Sequence, residues 1–131
     1  MNRLNILAFF AVFGSIAAAH AAPSGAPYTK MQATNGAALF SQNCAMCHGT
    51  PASGWAFSAA KLAPLRIEDL FSTMTTRMPR NNPGSLSHTQ YEDIMAYILE
   101  NNGYPAGAQK LNYNQTLKNQ TPIGMQSNRS P

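Results

Sequence analysis

The most regular pattern of apolar positions along the chain lies between residues 67 and 77. These apolar residues recur at the i, i+3, i+4 and i+7 spacing that puts side chains on one face of a helix, and they are Ile67, Leu70, Phe71 and Met74. Glu68 and Asp69 fall in the first turn, where the helix dipole favours negative charge. Because Pro79 disfavours helical geometry at the residue before it, the pattern predicts a helix that ends at about Arg77.

A second apolar stripe follows a capping-box pattern, in which Ser87 precedes Gln90 by three residues. The stripe consists of Tyr91, Ile94, Met95, Ile98 and Leu99. Gly103 and Pro105 indicate where this helix ends, because glycine suits the residue after a helix and proline does not continue one.

The segment before the cysteines is less periodic, but its alanines favour a first helix from about Ala33 to Ala45, capped by Thr34 or Asn35. Gly, Pro and Ser interrupt residues 49–63, which we predict to be mostly loop. No pair of alternating stretches indicates strands. The pattern therefore predicts a small all-α fold with about three main helices.

The first 21 residues have the composition of a secretory signal peptide. Arg3 precedes an apolar run from Leu4 to about Ala19, and small residues stand near the predicted cleavage point. The run is shorter than the ~20 apolar residues that a membrane-spanning helix needs, so an uncleaved anchor is the less favoured interpretation. We predict cleavage after Ala21 and an exported, periplasmic protein.

The mature part of the chain is expected to form one small domain. Cleavage leaves 110 residues with a net charge of +3, and the chain lacks the dense basic stripe of a nucleic-acid-binding protein. We divide the chain into a signal peptide at 1–21, a linker at 22–30, a packed domain at 31–108 and a polar C-terminal tail at 109–131.

The stretch CAMCH holds the only two cysteines of the chain, Cys44 and Cys47, followed directly by His48. A disulfide redox site with this spacing expects a βαβ context, which the chain lacks. A zinc site needs a fourth ligand, for which only His88 remains in the mature chain. Covalent haem attachment uses two thiols for the two vinyl groups and a histidine that reaches the iron from the same face. The pattern therefore favours a single haem c, with its iron, over the other two chemistries.

These residues and the helices around them resemble a small monohaem cytochrome c over residues 31 to about 108. In GAALFSQNCAMCHG, Gly36 and Phe40 stand at the spacing of that family's N-terminal helix, where the glycine allows close packing of the C-terminal helix. In YEDIMAYILENNGYP, Tyr97 stands at the family's aromatic position on that C-terminal helix. Residues 78–107 are most similar to cytochromes that serve periplasmic quinoprotein alcohol dehydrogenases.

The resemblance implies a cytochrome c fold around one haem, with His48 and a methionine as iron ligands. Met78 is the expected methionine, because it precedes a proline and opens a loop after the predicted helix. Met74 is the alternative, although it also completes the apolar stripe of that helix. In relatives a proline carbonyl orients the histidine, a role that falls here to Pro51 or Pro64.

The resemblance also implies an electron carrier rather than an enzyme. It would transfer single electrons from a quinoprotein dehydrogenase to a terminal oxidase or another cytochrome. Two alternatives are a subunit permanently bound to such a dehydrogenase and, with a labile methionine ligand, a haem peroxidase or gas-binding protein. We expect the docking face to be a positive rim formed by Lys61, Arg66, Arg77 and Arg80.

Overall fold

The computed structural model describes residues 27–124, and within them the chain forms six helices and no β-strand. The helices are α1 (Lys30–Asn43), α2 (Ala45–His48), α3 (Ala59–Leu62), α4 (Ile67–Arg77), α5 (His88–Glu100) and α6 (Tyr113–Thr116). The predicted all-α fold is confirmed for this part of the chain, with α1, α4 and α5 as its three main helices. The predicted signal peptide and most of the predicted linker lie outside the described residues.

α1 begins earlier than its alanine-rich centre predicted, because its cap lies upstream. The Thr29 hydroxyl accepts a hydrogen bond from the Gln32 backbone N–H at 3.3 Å, and the Gln32 side chain accepts one from the Thr29 N–H at 3.2 Å. These two bonds form a capping box. The prediction that Thr34 or Asn35 caps the helix was therefore wrong, since both residues lie inside α1.

α4 and α5 begin and end close to where the periodicity placed them. At the start of α4, the Asp69 carboxylate accepts a hydrogen bond from the Arg66 N–H at 3.1 Å. At the start of α5, the Ser87–Gln90 capping box is formed in both directions, at 3.2 and 2.8 Å. α4 ends at Arg77, and Met78 has an extended backbone, as its position before a proline predicted.

α1 crosses α5 with the two backbones in direct contact at Gly36. A Cβ atom at this position would lie 1.8 Å from the carbonyl oxygen of Asp93, so the crossing requires glycine. One turn further along α1, the rings of Phe40 and Tyr97 pack with their centroids 5.4 Å apart. The predicted contact of Gly36, Phe40 and Tyr97 between the first and last main helices is confirmed.

Residues 109–124, called the C-terminal strap below, pack onto the same core as the helices. Leu111, Thr116 and Ile123 are buried there. Three backbone hydrogen bonds of 2.9–3.0 Å join the strap to the start of α4, from Ile67 to Thr121, from Glu68 to Asn119 and from Ile123 to Leu65. The first two satisfy amide groups in the first turn of α4 that have no partner within the helix. Packing therefore extends beyond residue 108, where the sequence placed the start of a polar tail.

Asp93 is a buried carboxylate on α5, beside the crossing with α1. Burial raises the pKa of this carboxyl above its ordinary value, although a hydrogen bond from Asn35 and the charge of Lys110 act in the opposite direction. The folded protein therefore holds a proton at this position more tightly than the unfolded chain does.

This carboxyl predicts a pH dependence of stability. The pKa of Asp93 is higher in the folded protein than in the unfolded chain. The protonated carboxyl therefore stabilises the fold fully below about pH 4, the ordinary pKa of aspartate, and this stabilisation is lost as the pH rises through the raised pKa. We expect Asp93→Asn to become more stable relative to wild type as the pH rises from 4 to 7. Chemical denaturation of both proteins at several pH values measures the difference. Parallel stability profiles would contradict the expectation, since the other carboxylates are common to both proteins.

Candidate functional site

A cavity of about 610 Å³ lies between α2, the C-terminal end of α4 and the loop that follows it. Its lining residues are Gln42, Asn43, Cys44, Met46, Cys47, His48, Phe57, Met74, Met78, Pro79, Arg80, Asn81, Asn82 and Ser85. The volume falls within the ~300–1,000 Å³ range of cofactor and small-molecule sites. All four predicted site residues, Cys44, Cys47, His48 and Met78, therefore line one cavity.

α2 is a single helical turn that places the two cysteines on the cavity wall. Cys44 is both the C-cap of α1 and the N-cap of α2, and its carbonyl accepts hydrogen bonds from Cys47 N–H at 3.2 Å and His48 N–H at 3.0 Å. Gly49, with a φ of 70°, ends the turn. This turn, residues 44–48, is called the attachment turn below for the haem attachment that its sequence predicts, and it is a direct continuation of α1.

The two thiols are free and differ in their surroundings. Cys44 is half-buried and Cys47 is exposed. Burial raises the pKa of the Cys44 thiol to about 11, and the neighbouring Cys47 adds to this shift. Cys44 is therefore held as a neutral thiol near pH 7, whereas thiol–disulfide exchange proceeds through the thiolate.

His48 is half-buried at the end of α2, and its ring packs on Phe57 with centroids 5.0 Å apart. Its backbone carbonyl accepts a hydrogen bond from Ala56 N–H at 2.9 Å, which ties the turn to the following loop. The role of the Pro51 or Pro64 carbonyl in orienting the His48 ring stays a prediction.

The structure brings both candidate methionines to the cavity. Met74, within α4, is 6% exposed and belongs to the hydrophobic core, as its place in the apolar stripe predicted. Met78 follows the last residue of α4 and is half-buried. Met74 and Met78 lie four positions apart in the chain, and both residues line the same cavity.

Sequence reasoning missed the contact that holds Met78 in place. The Tyr91 hydroxyl donates a hydrogen bond of 2.6 Å to the Met78 carbonyl oxygen. The sequence placed Tyr91 on the apolar face of α5, and the ring is indeed buried. Periodicity reports which face a side chain occupies, but it does not report the partner of a phenolic hydroxyl.

A cluster of aromatic rings packs behind the attachment turn. The Phe40 ring lies 5.7 Å from Phe57 and 6.0 Å from Trp55, and Trp55 stacks on Tyr97 at 5.7 Å, centroid to centroid. Phe57 lines the cavity, whereas Trp55 belongs to the core behind it. The cluster therefore joins the crossing of α1 and α5 to the wall that carries His48.

The predicted positive rim is not formed as a group of four residues. Among the described lining residues, Arg80 alone carries a full charge at neutral pH. The Lys61 ammonium donates a hydrogen bond to the Trp55 carbonyl at 3.0 Å. Arg66 precedes the first residue of α4, about 16 Å along the helix from the end that borders the cavity. Arg77 is exposed but does not line the cavity.

The fourth ligand required by a zinc site is not brought to the cysteines. His88 stacks on the Tyr113 ring at 3.6 Å between centroids, at the start of α5. Residues 27–124 contain no group of three or more His, Cys, Asp and Glu side chains arranged to hold a metal ion.

The residues present fit a haem c. The two cysteines, the histidine that follows them, two methionines and Phe57 line a single cavity. These are the donor types that attach a haem covalently and ligate its iron in cytochromes.

In the described part of the chain, no helix is both long enough and apolar enough to span a membrane.

Comparisons with known proteins agree with this chemistry. The family described as cytochrome c oxidase, cbb3-type, subunit III matches residues 31–98, just over half of the chain. The cytochrome bc1 complex cytochrome c subunit of Corynebacterium diphtheriae is 36% identical over 70 residues, which cover 48% of this chain and 25% of that protein. The corresponding subunit of Corynebacterium efficiens is 30% identical over 83 residues, which cover 58% of this chain and 28% of that protein.

The chain spans about a quarter of the length of these curated relatives. No solved structure gives a significant match. The family match covers the attachment turn, α4 and nearly all of α1 and α5, which are the elements around the cavity and the crossing behind it. The protein therefore belongs to the cytochrome c electron-transfer family, in its cbb3-type group.

Proposed function

We propose that the protein is an exported carrier of single electrons that holds one haem c, attached through Cys44 and Cys47 and ligated by His48 and Met78. The observation that carries this proposal is the cavity of about 610 Å³, which gathers these four side chains on its walls. Family membership supports the electron-transfer role.

The chain's own residues have distinct roles in this proposal. The Cys44 and Cys47 thiols would hold the haem through thioether bonds to its two vinyl groups. His48 follows on the same turn, and the contact of its ring with Phe57 restricts how it turns toward the cavity. When bound, haem would supply a one-electron iron couple whose potential a methionine thioether raises.

Met78 is our proposed sixth ligand rather than Met74. Met74 is 6% exposed, and its side chain fills the core under α4, so its withdrawal would leave a void there. Met78 lies beyond the end of the helix, and its backbone N–H and carbonyl are both hydrogen-bonded. A ligand presented from such a fixed, extended residue remains aimed at the cavity without disturbing the core.

Replacing each methionine separately tests the ligand assignment. We expect Met78→Ala to remove the methionine–iron charge-transfer band of the oxidised protein and to lower its reduction potential, because the thioether is lost as a ligand. Met74→Ala, the matched control one turn earlier, should retain the band and lose thermal stability instead. Visible absorption spectra and potentiometric titration measure these results. Loss of the band in Met74→Ala alone would assign the ligand to Met74.

We further propose that the carrier works in the periplasm, with a quinoprotein dehydrogenase as donor and a terminal oxidase or another cytochrome as acceptor. The predicted signal peptide supports export, and the resemblance of residues 78–107 supports the donor. The cavity rim is mostly uncharged, with amide side chains, Arg80 and the 98% exposed Met46. Such a rim favours weak docking through mostly uncharged contacts over docking through a dense positive patch.

A second candidate is a permanent subunit of a respiratory complex. It is favoured by the matches to cytochrome c subunits of cytochrome bc1 complexes, although the chain spans about a quarter of their length. The two candidates differ in a simple fractionation of the native source. A diffusing carrier is released with the soluble periplasmic fraction at low and high salt, whereas a permanent subunit sediments with membranes under both conditions.

A further inference from the structure

Tyr91 connects α5 to the residue that ends α4. Its ring is 2% exposed, and its hydroxyl donates a hydrogen bond of 2.6 Å to the Met78 carbonyl. Tyr91 is not a lining residue of the cavity. Any influence of this hydroxyl on the cavity therefore passes through the Met78 backbone.

The Met78 backbone is hydrogen-bonded to three parts of the chain. Its carbonyl also accepts a hydrogen bond of 3.2 Å from the Gly84 N–H, and the Met78 N–H donates one of 3.2 Å to the Met74 carbonyl. Gly84 has a φ of 74°, a conformation that glycine adopts readily, and its N–H closes the loop of residues 79–83 onto Met78. The backbone of Met78 is thus tied to α4, to the end of its own loop and to α5.

α5 holds Tyr91, which donates the hydrogen bond from this helix to Met78, in a fixed position. Tyr91 lies in the first turn of the helix, directly after the capping box of Ser87 and Gln90. Further along, α5 meets α1 backbone to backbone at Gly36. A hydrogen bond from such a fixed position limits how far the Met78 backbone moves away from the cavity.

We infer that Tyr91 is a positioning residue, which holds the Met78 backbone so that the thioether stays directed into the cavity. This inference rests on the proposed function, because it takes Met78 as the sixth ligand. An external ligand that replaces the thioether requires Met78 to move aside. The Tyr91 hydrogen bond opposes that movement, and its loss makes replacement easier.

Imidazole binding to the oxidised holoprotein tests the inference. We expect Tyr91→Phe to keep its covalent haem and its charge-transfer band but to bind imidazole about two- to tenfold more tightly than wild type, which is the effect of one net hydrogen bond. Tyr104→Phe is the matched control. Tyr104 is likewise buried, and its hydroxyl donates a hydrogen bond of 2.9 Å to the backbone carbonyl of Pro122. Pro122 does not line the cavity. Tyr104→Phe should bind imidazole as wild type does.

Two results would overturn the inference, and they are distinguishable. If Tyr91→Phe and Tyr104→Phe bind imidazole with equal affinity, Tyr91 does not position the ligand, while the proposed function stands. If Met78→Ala binds imidazole no more tightly than wild type, Met78 is not the residue displaced, and the ligand assignment fails together with the inference. Thermal melts of both tyrosine variants show whether a shared loss of stability accounts for any change in affinity.

Discussion

A variant in which Cys44 and Cys47 are both changed to Ser should lose all haem on a denaturing gel, whereas the wild-type protein should keep it. Histidine and methionine ligation depends on the folded chain, so denaturation releases a group held only by these ligands. Two thioether bonds to the haem would survive denaturation, because they are covalent. Both proteins are to be made in cells competent for cytochrome c maturation, and haem staining of the gel is the measurement.

The attachment turn offers a control for this prediction. Met46 lies between the two cysteines and is 98% exposed, so Met46→Ala alters the same turn without removing a thiol or a core contact. This variant should stain as strongly as wild type. A wild-type protein that loses its haem on denaturation would refute the covalent attachment, and with it the role proposed for the CAMCH stretch.

The second large effect concerns the C-terminal strap. We expect Leu111→Ala and Ile123→Ala to cost about 2–5 kcal/mol each, because both side chains are buried in the core and their truncation leaves cavities. Together these losses form a large share of the ~5–15 kcal/mol that stabilises a typical domain. Bound haem also stabilises the folded state, so the comparison is made between holoproteins.

Chemical denaturation of the double variant measures the loss. Lys118→Ala combined with Gln120→Ala is the matched control, because both positions are exposed in the same strap. That control should stay within about 0.5 kcal/mol of wild type, as exposed substitutions usually do. A double core variant as stable as the control would mean that the strap does not contribute to the core in solution.

The sequence predicted the helices whose signals are local. The apolar stripe of α4 and the capping box of α5 each lie within a few residues, and both helices form where expected. The strap was not predicted, because its apolar residues are too widely spaced to show a period. Gln32 also holds the strap, although it lies 79 positions before Leu111. Its side-chain amide donates a hydrogen bond to the Leu111 carbonyl and accepts one from the Leu111 N–H.

The candidate site shows the same division between local and distant signals. The CAMCH stretch identified Cys44, Cys47 and His48 because covalent haem attachment needs these groups next to one another. The proline after Met78 favoured that residue over Met74 as the ligand, and both residues line the same cavity. Of the residues expected to form a positive rim, Arg66 and Arg77 are separated by the length of α4, with Arg66 at the end away from the cavity.

The backbone contact between α1 and α5 bears on the order of events during maturation. Gly36 and Asp93 are more than fifty residues apart, so their contact closes a long loop, and such nonlocal contacts form slowly compared with single helices. All the residues that line the cavity lie inside this loop. An attachment enzyme would therefore have its widest access to Cys44 while the loop is open. Closure of the loop after attachment would then keep the iron-ligating residues in place around the haem.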